Sequence, residues 1–123
     1  MITIAFLLRR RADVEAAEFH RYWREQHGPL VQSFADALGI RRYVQLHSLD
    51  PAFSDALRQS RDTEDTHYDG VALVSFDSLD ALGAATTTPD GRDAGAALLA
   101  DERRFIDLEH SVIWLCDTDV LIA

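Results

Sequence analysis

A histidine beside a predicted helix break is the strongest candidate for chemistry in this sequence. At about 100° per residue, residues 19–34 place their aromatic and aliphatic side chains on one stripe, with His27 at its edge. Pro29 has no backbone N–H and crowds the preceding turn, so the helix must kink or restart near Gly28. An imidazole in that position can transfer protons near neutral pH. The alternative is that His27 caps backbone carbonyls freed by the break.

The second candidate group alternates along a predicted strand at residues 40–49. Its polar face carries Tyr43, Gln45 and His47. Its apolar face carries Ile40, Val44 and Leu46. If the apolar face packs on helices, the polar face lines an internal pocket, where Tyr43 or His47 would stabilise developing negative charge. The alternative for His47 is an exposed strand end.

The remaining ionisable residues do not form a recognisable metal or cofactor site. His20 and His27 are seven residues apart, about 10 Å along a helix, which is too far to chelate one metal without other ligands. Cys116 is the only cysteine, so neither an internal disulfide nor a cysteine metal cage can form. There is no P-loop, dinucleotide fingerprint, zinc-protease motif or serine elbow. We therefore expect neither a metal nor a cofactor.

The elements that must position these residues follow a β-α-β, excursion, β-α-α-β order. Strands are predicted at residues 2–9, 40–49, 70–76 and 111–116. Helices are predicted at residues 13–38, 52–61, 78–85 and 92–108, with an acidic loop at 62–69. This order predicts an α+β, ferredoxin-like βαββαβ fold with an antiparallel sheet, and one domain over residues 1–123.

The first and third predicted strands are apolar on both faces, which is typical of a sheet covered on both sides. Helices in this topology cover only one side, and the other would expose a large apolar patch. A second copy can cover that patch through a two-fold axis. We therefore expect a homodimer whose sheets enclose a shared interior, and we expect the ligand pocket in that interior.

Composition excludes several classes of partner. The chain has 123 residues, is 47% hydrophobic, and carries 21 acidic against 12 basic residues, for a formal charge of −9. Nucleic acid and anionic membranes are poor partners for such a surface. No stretch approaches the roughly 20 apolar residues of a membrane helix, and the low cysteine content favours a cytoplasmic location.

Three sequence blocks resemble the signature of the EthD family. The first, YWxxxHGPLV, covers residues 22–31, and the second, YDGVA running into FDSL, covers 68–79. The third, DExxFID, covers 101–107. The blocks occur in family order, and the resemblance extends over nearly the whole chain.

The resemblance implies a dimeric α+β barrel. The family takes its name from a bacterial ether-degradation cluster, and related barrel families include cofactor-free cyclases, decarboxylases and dehydratases, besides haem-binding and oxygenating members. His27 matches the family histidine and Asp107 the family aspartate. Asp107 would then orient an imidazole, or it would bind backbone or an arginine at a helix end.

We consider three functions for the sequence. The first is cofactor-independent proton transfer on a small apolar, aromatic or polyketide-like molecule, of the cyclase, decarboxylase or dehydratase type. The second is an oxidoreductase or accessory role in a monooxygenase or ether-degradation pathway, and the third is non-catalytic ligand binding. The catalytic candidates are His27, His47 and Tyr43. The ligand-binding candidates are Trp23, Gln45, Tyr22 and Asp107, although a core role is the alternative for Trp23.

Overall fold

The computed structural model describes residues 1–123 and has four strands and several helices. The first half contains β1 (Ile2–Leu8), α1 (Ala16–Tyr22), a π-helical segment (Trp23–His27), α2 (Gly28–Ser33), α3 (Ala35–Leu38) and β2 (Arg42–His47). The second half contains α4 (Pro51–Arg61), β3 (Gly70–Phe76), α5 (Leu79–Ala85), α6 (Pro89–Glu102), a short 3₁₀ turn (Leu108–His110) and β4 (Val112–Asp117). No helix is long and apolar enough to cross a membrane.

The four strands form one antiparallel sheet in the order β2-β3-β1-β4. The predicted α+β, ferredoxin-like fold is confirmed. Because directly opposed residues of antiparallel strands share a face, the register assigns each side chain to the helix-covered face or to the open face.

The covered face of the sheet meets the helices through a compact aromatic core. Phe19 and Trp23 are 0% and 1% exposed, and their rings are 5.7 Å apart. They belong to a buried cluster that also contains Leu8, Ala72, Phe105 and Ile106. The aromatic stripe of the predicted first helix is therefore mainly a packing surface.

Two cross-strand rows on the open face of the sheet are apolar across all four strands. One cross-strand row consists of Val44, Leu73, Ala5 and Trp114. The next consists of Leu46, Val71, Leu7 and Val112. The side chains of Trp114 and Leu46 are 59% and 48% exposed. The strands that the sequence predicts to be apolar on both faces therefore form an apolar surface that the helices do not cover.

The first helical region differs from the single helix that we predicted at residues 13–38. It begins at Ala16, passes through the π-helical segment and divides again at Phe34, where φ is −103° and ψ is 5°. Gly39 ends it with a φ of 71°, a conformation that a residue without Cβ adopts without strain. The predicted break near Gly28 thus takes the form of a wider helical turn.

The second long helix begins earlier and ends earlier than the predicted 92–108. It starts at Pro89, where a proline costs no hydrogen bond because the first helical N–H groups are free. The side chain of Thr88 accepts a hydrogen bond from the N–H of Gly91 at 3.0 Å and caps this end. The helix ends at Glu102, and the chain then turns towards β4.

Candidate functional site

The π-helical segment sets the position of His27. The N–H of Gly28 donates to the carbonyl oxygen of Trp23, five residues earlier, so this turn contains one residue more than an α-helical turn. The same oxygen accepts a hydrogen bond from Nε2 of Gln45 at 2.9 Å. A side chain of β2 therefore anchors the segment, and His27 lies at its end with 5% of its surface exposed.

The imidazole of His27 is held by a carboxylate from the end of α6. Nδ1 of His27 lies 2.7 Å from Oδ2 of Asp101, and the hydroxyl of Tyr22 donates to Oδ1 of the same carboxylate at 2.5 Å. Because a carboxylate only accepts, Nδ1 carries the proton, and Nε2 is the nitrogen with a free lone pair. Burial lowers the pKa of His27, and Asp101 offsets part of that effect. The result is a neutral, oriented imidazole.

A cavity of about 410 Å³ lies between the covered face of the sheet and the helices, and His27 borders it. Of its 23 lining residues, 17 are hydrophobic, so a ligand there would be largely apolar. This cavity is formed by the sheet and helices of one protomer, whereas the pocket expected from the sequence lies between the sheets of two copies.

Three of the polar groups that border the cavity come from separate elements. They are His27 of the π-helical segment, Tyr43 of β2 and Glu102 of α6. Glu102 is the one acidic residue in the lining. Burial first, and then the charge of Asp101, raise the pKa of its carboxyl to about 7. A carboxylic acid that titrates near neutrality is thus present in an apolar cavity.

The hydroxyl of Tyr43 is a hydrogen-bond donor available to a ligand. The backbone oxygen of Trp23 fixes the amide of Gln45, because it must face the Nε2 donor. That Nε2 also donates to the Tyr43 oxygen at 2.7 Å. The hydrogen of Tyr43 is therefore left for another acceptor, and burial raises the pKa of the phenol, which keeps it protonated.

His47 lies behind Tyr43 and not in the cavity. Its Nε2 is 2.9 Å from Oε1 of Gln45, its Nδ1 is 2.7 Å from Nδ1 of His20, and its ring centroid is 4.4 Å from that of Trp23. Burial lowers the pKa of His47 to about 4. The structure places it in contact with α1 and the π-helical segment, outside the lining of the cavity.

The alternation predicted for β2 is confirmed, but its two faces are reversed. Tyr43, Gln45 and His47 face the helices, whereas Val44 and Leu46 lie on the open face of the sheet. The physical reason is that the three polar side chains bond to one another and to the helix backbone, so that each has a partner where it is half-buried against the helices. The prediction, which was based on side-chain polarity alone, therefore assigned the two faces the wrong way round.

Two of the predicted ligand-binding residues are near His27, and one is elsewhere. Trp23 lines the cavity while belonging to the core, and Tyr22 reaches the site through Asp101. Asp107 accepts a hydrogen bond from Nδ1 of His110 at 2.8 Å, at the 3₁₀ turn before β4. The carboxylate that orients His27 is therefore Asp101 and not Asp107.

Asp101 and Glu102 were missed as site residues, although both lie in the DExxFID block. Two adjacent carboxylates at a helix C-terminus are unfavourable, because that end of the helix dipole is negative. This placement is the sequence feature that could have identified them as site residues. No group of three or more His, Cys, Asp or Glu side chains is arranged to hold a metal ion.

The sheet, the helices and the apolar cavity between them define a ferredoxin-like α+β protein. The EthD domain model matches residues 11–109, and the chain belongs to the EthD family. No curated protein sequence matches it significantly.

Solved structures share the fold at low sequence identity. An EthD family protein from Bacillus halodurans is 15% identical, with a TM-score of 0.61 and coverage of 97% of this chain and 100% of the other. A dimeric ferredoxin-like protein of unknown function from Thermobifida fusca is 18% identical, with a TM-score of 0.58 and coverage of 95% and 90%. A mutant of SnoaB, a cofactor-independent oxygenase from Streptomyces nogalater, is 18% identical, with a TM-score of 0.56 and coverage of 99% and 97%.

Proposed function

We propose that this protein is a small-molecule enzyme that catalyses proton transfer on a largely apolar carbonyl or phenolic compound without a cofactor. The observation that carries the proposal is the pairing of His27 with Asp101 at the edge of an apolar cavity. A carboxylate that accepts the Nδ1 proton fixes the imidazole tautomer, and Nε2 is then available as a base.

In the proposed mechanism, His27 and Tyr43 act on adjacent atoms of the substrate. Nε2 of His27 removes a proton from the carbon beside a carbonyl group, and the electron pair moves to the carbonyl oxygen. The hydroxyl of Tyr43 donates a hydrogen bond to that oxygen as negative charge develops. Asp101 stabilises the imidazolium that forms, and Tyr22 holds Asp101 in place.

The proposed substrate is neutral and of modest size. The cavity volume of about 410 Å³ is at the lower end of the range for small-molecule sites, and its lining is mostly aliphatic and aromatic. An aromatic or polyketide-like ketone would satisfy both the apolar walls and the donor of Tyr43. The predicted polyketide-like substrate remains part of this proposal.

We also propose that the protein is a homodimer paired through the open faces of its sheets. The two apolar rows that contain Trp114 and Leu46 support this pairing, because a monomer would expose them to water. The dimeric ferredoxin-like neighbours share the fold. In such a dimer each chain keeps its own cavity on the helix side.

Oxygenation without a cofactor is the second candidate function. It is supported by the fold that this chain shares with SnoaB. Its first step, removal of a phenolic or C–H proton, would use the same His27. Oxygen consumption with an electron-rich phenol as substrate distinguishes this function from non-oxidative proton transfer. A third candidate, ligand binding without catalysis, predicts saturable binding and no exchange of substrate protons.

The test uses benzylacetone, a neutral aryl ketone, as a probe of enolisation. The wild-type protein is expected to accelerate exchange of its α-protons in D₂O, measured by proton NMR. His27→Ala should lower that acceleration about 10²-fold, and His27→Gln should do the same while keeping a donor to Asp101. The control is His110→Ala, because His110 forms a similar carboxylate pair on the surface. Absence of acceleration in the wild type, or equal rates in the His27 variants, would contradict the proposal.

A further inference from the structure

Glu102 is the acidic residue of the cavity lining, and its carboxyl has no partner within the chain. Its carboxyl makes no ion pair or side-chain hydrogen bond with the rest of the chain, although it lies among apolar walls. Glu102 is half-buried and its carboxyl oxygens remain accessible, whereas polar groups that lie among apolar side chains normally have partners. Since the group is open to the cavity, the partner that it lacks is one that a ligand can supply.

The surroundings of Glu102 favour its neutral form. The adjacent Asp101 carries the nearest negative charge, and it is already bonded to His27 and Tyr22. Of the other ionisable groups in the lining, Tyr43 of β2 is an uncharged phenol, and Arg92 is an exposed residue of α6. A carboxylic acid in this setting donates a hydrogen bond or a proton instead of accepting one.

We infer that Glu102 is a catalytic acid, and that the substrates of this site are neutral β-hydroxy carbonyl compounds that lose water in the cavity. This inference rests on the proposed function. The inference follows from comparing the acid–base groups in the cavity with the groups that each reaction needs. Enolisation needs a base and a donor to the carbonyl oxygen, which His27 and Tyr43 supply. A third group with a transferable proton is required when an oxygen must also leave.

The step is an elimination that needs no oxidant or reductant. His27 Nε2 takes the α-proton, and the C–H electron pair forms an enolate whose oxygen accepts a hydrogen bond from Tyr43. The enolate collapses to a carbon–carbon double bond as the β-carbon–oxygen bond breaks. The leaving oxygen takes the proton of Glu102 and departs as water, and transfer of the imidazolium proton to the Glu102 carboxylate restores the starting state.

The test compares two reactions of related probes in the same proteins. Benzylacetone reports α-proton exchange, which needs His27 alone as the acid–base group. The benzaldehyde–acetone aldol reports elimination, followed by the ultraviolet absorbance of its product, benzalacetone. Glu102→Gln keeps the size and a hydrogen-bond donor but has no transferable proton, and Glu109→Gln, at an exposed position, is the control.

We expect Glu102→Gln to lower elimination about 10²-fold while exchange stays within a few fold of the wild type. The wild-type elimination rate should fall about fivefold between pH 7 and pH 8 as Glu102 ionises, and about tenfold per pH unit above that, and the residual rate of the variant should lack that dependence. Equal losses in both reactions would indicate a structural role and overturn the inference. So would exchange by the wild type with no elimination, or elimination unaffected by the substitution. A wild-type protein that does neither would overturn the proposed function as well.

Discussion

The imidazoles of His20 and His47 meet through their Nδ1 atoms, which are 2.7 Å apart. One of the two nitrogens must therefore carry a proton while the other accepts it. The Trp23 carbonyl fixes the amide of Gln45, whose Oε1 faces Nε2 of His47. His47 is thus protonated on Nε2, His20 is protonated on Nδ1, and every hydrogen bond in the chain from His20 to Tyr43 points in one direction.

The first prediction is that ¹⁵N NMR at pH 7 will find opposite tautomers in these two rings. His47 should be the Nε2–H form and His20 the Nδ1–H form. Burial lowers the pKa of both, to about 4 for His47, so His47 should still be neutral at pH 5, where an ordinary histidine near 6.5 is charged. The reverse tautomers, or a charged His47 at pH 5, would show that the Gln45 amide does not direct the chain.

The second prediction concerns the carboxylate partner of His27. Asp101→Asn keeps an acceptor oxygen but removes the charge that raises the pKa of His27, so that pKa should fall further below its usual value. Exchange of benzylacetone protons should decrease about tenfold or more, because the imidazolium is no longer stabilised. The measurement is an NMR titration of His27 beside the exchange assay.

Asp107→Asn is the matched control for that substitution. Asp107 forms the corresponding contact with His110 on the surface. The Asp107→Asn substitution should leave both the pKa of His27 and the exchange rate unchanged. If the two asparagine variants behave alike, then Asp101 has no special relationship to the site.

The third prediction is that Trp114→Glu separates the proposed dimer. Trp114 is 59% exposed within one chain, so the substitution should be tolerated by the fold while placing a charge in the apolar row. Sedimentation should show a dimer for the wild type and a monomer for the variant. Leu57→Glu is the control, because Leu57 is 67% exposed on α4, outside the sheet. A wild type that is monomeric at all concentrations would refute the pairing.

The fourth prediction concerns the space that Gly70 leaves for Trp23. A Cβ at this position would overlap the indole ring and approach the backbone oxygen of Leu46 to 2.7 Å. Gly70→Ala should destabilise the protein by about 1–3 kcal/mol in denaturant titrations, since the ring that borders the cavity must move. Gly83→Ala meets no atom within 4 Å in a helix and should instead stabilise by about 0.5–1 kcal/mol. Equal effects of the two changes would contradict the close packing.

The fifth prediction is a pH dependence of stability that needs no substrate. The pKa of Glu102 rises from 4.5 unfolded to about 7 folded, so the folded state binds the proton more tightly, and stability is lost as the pH rises through this window. Glu102→Gln should therefore be more stable than the wild type by about 1–3 kcal/mol at pH 8, and about equal to it at pH 4. Thermal unfolding of both proteins and of Glu109→Gln provides the measurement. A constant difference across this range would mean that Glu102 does not titrate as described.

The fold was predictable from the sequence because it depends on patterns that repeat along the chain. Short apolar runs located β1 and β3, alternation located β2, and Pro29 located the irregularity next to His27. The width of that irregularity was not predictable, since it depends on the bond between Gln45 and the Trp23 carbonyl, which joins residues distant in sequence.

The candidate site was predictable only in part, because a cavity is a tertiary property. His27 stood out by its type and position, but charged residues at a helix end, such as Asp101 and Glu102, are usually solvated. The faces of β2 were reversed because hydrogen bonding within a buried polar group outweighs the average preference of its members for water.

The wider turn at Trp23–His27 accommodates one residue more than an α-helical turn would hold, without ending the helical region. Its middle residues, Arg24, Glu25 and Gln26, are exposed and open to substitution. Removing one of them would convert the wider turn into an ordinary α-helical turn, and the helix that follows would keep nearly the same direction. Related chains that carry such a deletion would keep a helix here, with the histidine three residues after the tryptophan instead of four.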